Sequence, residues 1–125
     1  MSNKEIVITS AFRTAIGSFG GSLSSKTAPE LGAEVIKKCL EHSEVKGNEV
    51  DTVFMGQVLQ AGAKQNPARQ AAIAAGIPNE TISCTVNQLC ASGLTSVGYG
   101  YNSILLGEAK IAVCGGQESM SNTPH

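Results

Sequence analysis

What this sequence lacks narrows its chemistry before any motif is read. Lysine, arginine, aspartate and glutamate are scattered without runs, and the net charge of the 125 residues is −1. That gives no footing for nucleic acid or for a membrane surface that attracts basic clusters. No apolar stretch approaches bilayer-spanning length, and Met1-Ser2-Asn3-Lys4-Glu5 lacks the charged-then-apolar build of a secretory signal. We therefore expect a cytoplasmic protein. The only histidines are His42 and His125, and no Cys-x-x-Cys pair occurs, so zinc spacing is missing and no metal is expected. Neither G-x-x-x-x-G-K-[ST] nor G-x-G-x-x-G is present, which removes the common phosphate loops despite the glycines of Gly17, Gly20 and Gly21. No repeat or low-complexity linker divides the chain. With 42% hydrophobic residues it has the makings of one domain with a core of its own.

What is present centres on Cys90. Before it, Ile82, Cys84 and Val86 alternate with Ser83, Thr85 and Asn87, a period of two that predicts a strand. After it, Leu94, Val97, Tyr101, Ile104 and Leu105 recur at helical spacing. Cys90 thus falls at a strand-to-helix junction, in or next to the first helical turn. Free N–H groups and the positive end of the helix dipole gather there and favour the thiolate, the nucleophilic form. The competing reading is a small buried hydrophobe, the fate of most unpaired cysteines. Gly93, Gly98 and Gly100 each cost a helix about 0.5–1 kcal/mol relative to alanine. A helix that tolerates all three is expected to be interior, packed against other backbone. Cys39, Cys84 and Cys114 fall on apolar faces and read as reduced packing residues rather than disulfide partners.

In chain order, Ile6-Val7-Ile8 predicts a short strand covered on both faces. Thr27-Ala28-Pro29-Glu30 reads as a capped helix start, with Leu31, Val35, Ile36, Cys39 and Leu40 as its apolar stripe. His42, at that helix's polar end, reads as solvated rather than as a base. Val50 to Leu59 holds the second strand. Asn66-Pro67 opens an alanine-rich helix, which Gly76 and Pro78 end. The third strand and the Cys90 helix follow, the helix ending near Gly107, and Ile111 to Cys114 is a fourth strand. The expected fold class is α/β, in the order β-α-β-α-β-α-β, with a mainly parallel sheet and helices on both faces. Working groups in such sheets lie at the carboxyl ends of strands, where Cys90 stands.

The motifs themselves resemble those of the thiolase family. The matching blocks are Ala11 to Gly21 (Ala-Phe-Arg-Thr-Ala-Ile-Gly-Ser-Phe-Gly-Gly), Gly56 to Gly62, Gln65 to Gln70, Val86 to Leu94 around Asn87-Gln88-Leu89-Cys90-Ala91-Ser92-Gly93, and Ala112 to Ser121. They run in order, almost from end to end. Two departures stand out: Cys-Ala-Ser-Gly where the family usually has Cys-Gly-Ser-Gly, and Gly-Gly-Gln-Glu where it usually has Gly-Gly-Met-Glu.

The resemblance implies an acetyl-CoA C-acetyltransferase, residues 1–125 being its N-terminal domain. Cys90 would be the catalytic nucleophile, taking an acetyl group from one acetyl-CoA and passing it to the deprotonated methyl of a second. Thiolysis is the reverse. It implies acyl-CoA as substrate, coenzyme A entering only as part of that substrate, and a homo-oligomer, dimer or tetramer. In the family the activating histidine, a second cysteine and most of the CoA pocket come from a loop domain and a C-terminal half. We therefore expect a fragment missing the last strand of its sheet, inactive alone, with the Ile82–Val86 strand at a sheet edge pairing across a two-fold axis. The alternatives are a non-catalytic thiolase-like interaction module and a β-ketoacyl synthase-type condensing enzyme. Arg13, Arg69 and Glu118 read as loop anchors or inter-subunit contacts rather than substrate ligands, and Tyr99 and Tyr101 as packing residues.

Overall fold

The computed structural model of the chain describes residues 4–125. Its organising layer is a parallel sheet of β1 (Thr52–Gly56), β2 (Ile82–Val86) and β3 (Ala112–Gly116), in the order β2-β1-β3. Register is even: Phe54 stands between Cys84 and Cys114, and Gly56 between Val86 and Gly116. Helices α1 (Ala28–Ser43) and α2 (Pro67–Ala74) lie on one face and α3 (Ser92–Leu105) on the other.

The helix starts follow the local chemistry anticipated from sequence. Thr27 caps α1 through a complete capping box: its hydroxyl accepts the Glu30 N–H, and the Glu30 carboxylate accepts the Thr27 N–H at 2.7 Å. Asn66 caps α2 by accepting the Arg69 N–H, with Pro67 in the first helical position. Under α1 and α2 lies the core of Ile36, Val50, Val53, Met55, Ala68, Ala71, Ala72 and Ile77. Small side chains on α2 let its backbone settle close to the sheet, the reason for its run of alanines. The central strand β1 carries two fully buried side chains, Val53 and Met55, each contributing about 1.5–3 kcal/mol of hydrophobic stabilisation.

Several expectations are corrected. Ile6-Val7-Ile8 forms no strand. The segment is tied down by side chains instead: Lys4 Nζ donates to Ile104 O, Thr9 Oγ1 bonds Ser43 Oγ, and Ser10 Oγ donates to Cys39 O. Those ties bridge the ends of α3 and α1 and bring its backbone into no ladder, so Val7 and Ile8 stay 64% and 78% exposed. The sheet accordingly has three strands rather than four among the described residues, and the outer edge of β3 is unpaired. The second strand is Thr52–Gly56, shorter than Val50–Leu59. The fourth is displaced to Ala112–Gly116.

On β2 only Val86 of the apolar set is buried, and the half-covered positions are those of Ser83 and Thr85. Ser83 and Thr85 lie under α2, where Thr85 Oγ1 accepts the Ala68 N–H at 3.0 Å and donates to Asn66 Oδ1 at 2.8 Å. A helix start needs acceptors, and the polar strand face supplies them. Ile82 is 73% exposed and Cys84 is exposed with it, so Cys84 is no packing residue. The cause is the placement of α3, which lies over β1 and β3 and only brushes β2. Nor is α3 interior in this chain. Its buried side is Ser92, Ser96 and Gly100, while Leu94, Val97, Tyr99 and Tyr101 are exposed.

Candidate active site

The carboxyl ends of the parallel strands gather three loops: Gln57–Asn66 after β1, Asn87–Ala91 after β2, and Gln117 onward after β3. Backbone bonds continue the sheet one step into them, with Gln57 N donating to Val86 O and Gln117 N to Gly56 O. Cys90 lies in the middle loop, exposed, just before Ala91 at the N-terminus of α3. The strand-to-helix position expected for it is the position it has.

The loop holding Cys90 is a turn under strain. Leu89 has φ +51°, a left-handed conformation that costs a residue with a Cβ about 1–2 kcal/mol. Its side chain is 68% exposed, so packing does not impose the angle. Hydrogen bonds do. Asn87 Oδ1 accepts the Leu89 N–H at 3.0 Å, and Gln88 O and Leu89 O accept from Ala91 N and Ser92 N. Ser92, buried at the start of α3, accepts the Gln88 N–H at 2.8 Å and donates to Leu89 O at 2.6 Å. Thr95 Oγ1 donates to Gln88 Oε1, tying the loop to the next turn of α3. Cys90 is therefore presented at the crest of a turn clamped from both sides. Sequence spacing identified Cys90 but missed Asn87 and Ser92. The available signal was an Asn and a Ser, both ready local acceptors, flanking the cysteine.

Close backbone approach sets the height of that turn. A Cβ on Gly56, the last residue of β1, would stand 2.6 Å from Ser92 Cβ and 2.7 Å from Ser92 C. The start of α3 thus rests directly on the end of the central strand. One turn-pair on, Gly100 leaves room for Cys114 Sγ. Burial there pushes the Cys114 thiol up to about 11, which keeps it protonated and inert.

These blocks are shared with known proteins. Residues 6–125 match the family described as thiolase, N-terminal domain. The chain belongs to that family. It is 56% identical over 121 residues to an acetyl-CoA acetyltransferase of Cupriavidus necator, covering 97% of this chain and 31% of that relative. To an acetyl-CoA acetyltransferase of Rhizobium meliloti it is 55% identical over 125 residues, covering all of this chain and 32% of the relative. The chain thus spans about a third of the length of these curated relatives.

In this thiolase N-terminal domain the two sequence departures have plain settings. Ala91 is the exposed residue between Cys90 and the helix. Gln117 is 8% exposed, its Nε2 donating to Gln57 Oε1 at 3.0 Å and Pro67 O at 3.2 Å, so it stitches β3 to β1 and α2. Its Oε1 has no hydrogen-bond partner and lies against Gly32 of α1, where a Cβ would collide with it. The cations and Glu118 anchor loops: Arg69 Nη1 donates to Asn79 O, Arg13 Nη1 to Thr14 O, and the Glu118 carboxylate accepts from Val58 N and Leu59 N. Tyr99 packs edge-on against Phe54 at 5.8 Å. Neither histidine bonds Cys90: His42 stacks edge-on with Phe12, and His125 with Phe19 while its Nε2 contacts Met120 O. A groove of about 510 Å³ lies between the Phe12–Phe19 loop, α1 and Gly116–Ser121, and no residue of the Cys90 turn lines it. No helix among the described residues is long and apolar enough to cross a membrane.

Proposed function

We propose that Cys90 is the acyl-accepting nucleophile of a thiolase, in the cytoplasm, with acetyl-CoA as substrate and no cofactor beyond the coenzyme A the substrate carries. The single observation supporting this most is an exposed cysteine on a strained, hydrogen-bonded turn at the head of a helix and the carboxyl end of a parallel strand. The relatives' names, acetyl-CoA acetyltransferase, support this choice of substrate.

In the first half-reaction the Cys90 sulfur attacks the acetyl carbonyl. The C–S bond to coenzyme A breaks, CoA leaves as its thiolate, and a Cys90 thioester remains. The tetrahedral intermediate carries a negative oxygen that needs N–H donors, and the backbone N–H of Cys90 at the head of α3 is a candidate for one. In the second, the methyl of another acetyl-CoA loses a proton to a base, its carbon attacks the thioester, and acetoacetyl-CoA departs as the Cys90 sulfur is restored. No side-chain base hydrogen-bonds Cys90 among the described residues, and we propose that C-terminal thiolase segments or a partner supply that base. Those segments, together with a second copy, are the partners we propose for the open face of α3 and the free edges of the sheet.

The test is exposure to acetyl-CoA followed by peptide mass spectrometry. We expect a +42 Da adduct at Cys90 alone, lost in Cys90→Ala (the mass is that of acetyl less hydrogen, ~42). Turnover of acetoacetyl-CoA is expected only when the C-terminal thiolase segments are supplied. An acetyl group on another cysteine, or turnover that survives Cys90→Ala, overturns the proposal.

A further inference from the structure

Glu118 anchors the loop after β1, and the atoms it holds lead to the Cys90 turn. Its Oε2 accepts the Val58 N–H at 2.9 Å and its Oε1 the Leu59 N–H at 3.1 Å. The Leu59 N–H and the Val58 C=O belong to one planar peptide unit, and in a trans peptide they point in opposite directions. Gripping the N–H therefore aims the carbonyl. On its far side, Val58 O accepts from Asn87 Nδ2 at 3.4 Å. The other end of the same Asn87 amide, Oδ1, holds the Leu89 N–H in its left-handed turn.

Asn87 is exposed, so its side chain is held by these bonds rather than by packing. An amide is a planar fork: fixing where its NH2 points fixes where its oxygen points. The carboxylate that starts the chain of bonds is charged, which makes its two N–H bonds the strong members. The bond from Asn87 Nδ2 is the long one, and it is the link through which the whole effect must pass.

From this geometry we infer that Glu118 is a positioning residue for Cys90, acting through the Val58–Leu59 peptide and the Asn87 amide. Its hydrogen bonds go to Val58 N and Leu59 N, and none goes to Cys90. Ser92 clamps the turn from the helix side, and Glu118 with Asn87 clamps it from the strand side. The inference deepens the acyl-transfer reading and depends on it for its catalytic meaning, while its structural content concerns only the reactivity of one thiol.

The experiment is alkylation of the purified chain with iodoacetamide, followed by peptide mass spectrometry, with exposed Cys84 as internal reference. Glu118→Gln removes one acceptor and sets an NH2 against an N–H. We expect it to change the Cys90 rate at least about threefold while the Cys84 rate stays put, a coupling of the size a single shared hydrogen bond transmits. Asn87→Ala is expected to change the Cys90 rate as well, and Glu118→Gln added to it to change nothing more. A merely structural role would loosen the fold and move both cysteines together. Should circular dichroism show Glu118→Gln unfolded, Glu118→Asp, which keeps the charge but is too short to hold both N–H groups, is read in the same way. An unchanged Cys90-to-Cys84 ratio, or effects that simply add in the double variant, overturns the inference. Failure of the catalytic reading looks different: Cys90 would respond to Glu118 yet never take acetyl from acetyl-CoA.

Discussion

Single residues in this chain do their work by satisfying backbone at the strand ends. Asp51 shows it most simply, accepting the N–H groups of Lys110 and Ile111 at 2.7 and 3.1 Å and so fastening the entry to β3 beside β1. Those two backbone bonds hold its carboxyl below the ordinary 3.8. A depressed folded value means the contribution is present above the unfolded value and disappears as pH falls through the folded one. Asp51→Asn should therefore be less stable than the parent at pH 6, with the difference shrinking below about pH 4. The carboxylate is solvent-exposed, so the effect at pH 6 is expected to be about 1 kcal/mol or less. Urea melts at pH 3 and pH 6 check it, and a difference of equal size at both contradicts it.

At the scale of elements, two glycines have environments that sequence alone could not tell apart: Gly56, under the start of α3, and Gly98, on α3 itself. The head of the helix rests on Gly56, where any Cβ meets the backbone of Ser92. Gly98, on the same helix, has nothing within 4 Å of where its Cβ would be. Gly56→Ala is expected to cost about 1–3 kcal/mol, because backbone cannot give way as a side-chain tip can. Gly98→Ala should instead stabilise the chain by roughly 0.8–1 kcal/mol through helix propensity. Thermal melts of the two variants decide it, and a loss at both positions would mean that the exposed face of α3 is covered in solution. Either result bears on where Cys90 stands, since the seat of α3 on β1 sets its height.

For the whole molecule the telling feature is how much apolar surface and hydrogen-bonding edge stays open. Ile82 is 73% exposed on an edge strand, Leu94 79% and Tyr101 50% on α3, and the outer edge of β3 has no neighbour among the described residues. Unpaired strand edges seek partners, and contiguous exposed apolar groups mark contact surfaces. We expect self-association through β2, seen as a dimer by sedimentation velocity with the amides of Ser83 to Asn87 slow to exchange. A monomer in which those amides exchange freely contradicts that.

The sequence by itself determined the local events. Thr27 with Glu30, and Asn66 with Pro67, set the starts of α1 and α2 through caps formed within a few residues. The period of two over Ile82–Val86 placed that strand, and the strand-then-helix pattern placed Cys90 at their junction. These signals are short-range, so a single chain displays them. Tertiary structure decided what depends on neighbours. Ile6-Val7-Ile8 has the composition of a strand but finds no ladder to join. Ile82 and Cys84 of β2 stay open because α3 lies over β1 and β3 and only brushes β2. Glu118 reaches the turn of Cys90 only because parallel strands bring their carboxyl ends together, joining residues that sequence separation keeps apart. Pairing, covering and long-range hydrogen bonding are properties of what lies alongside, and no local pattern encodes them.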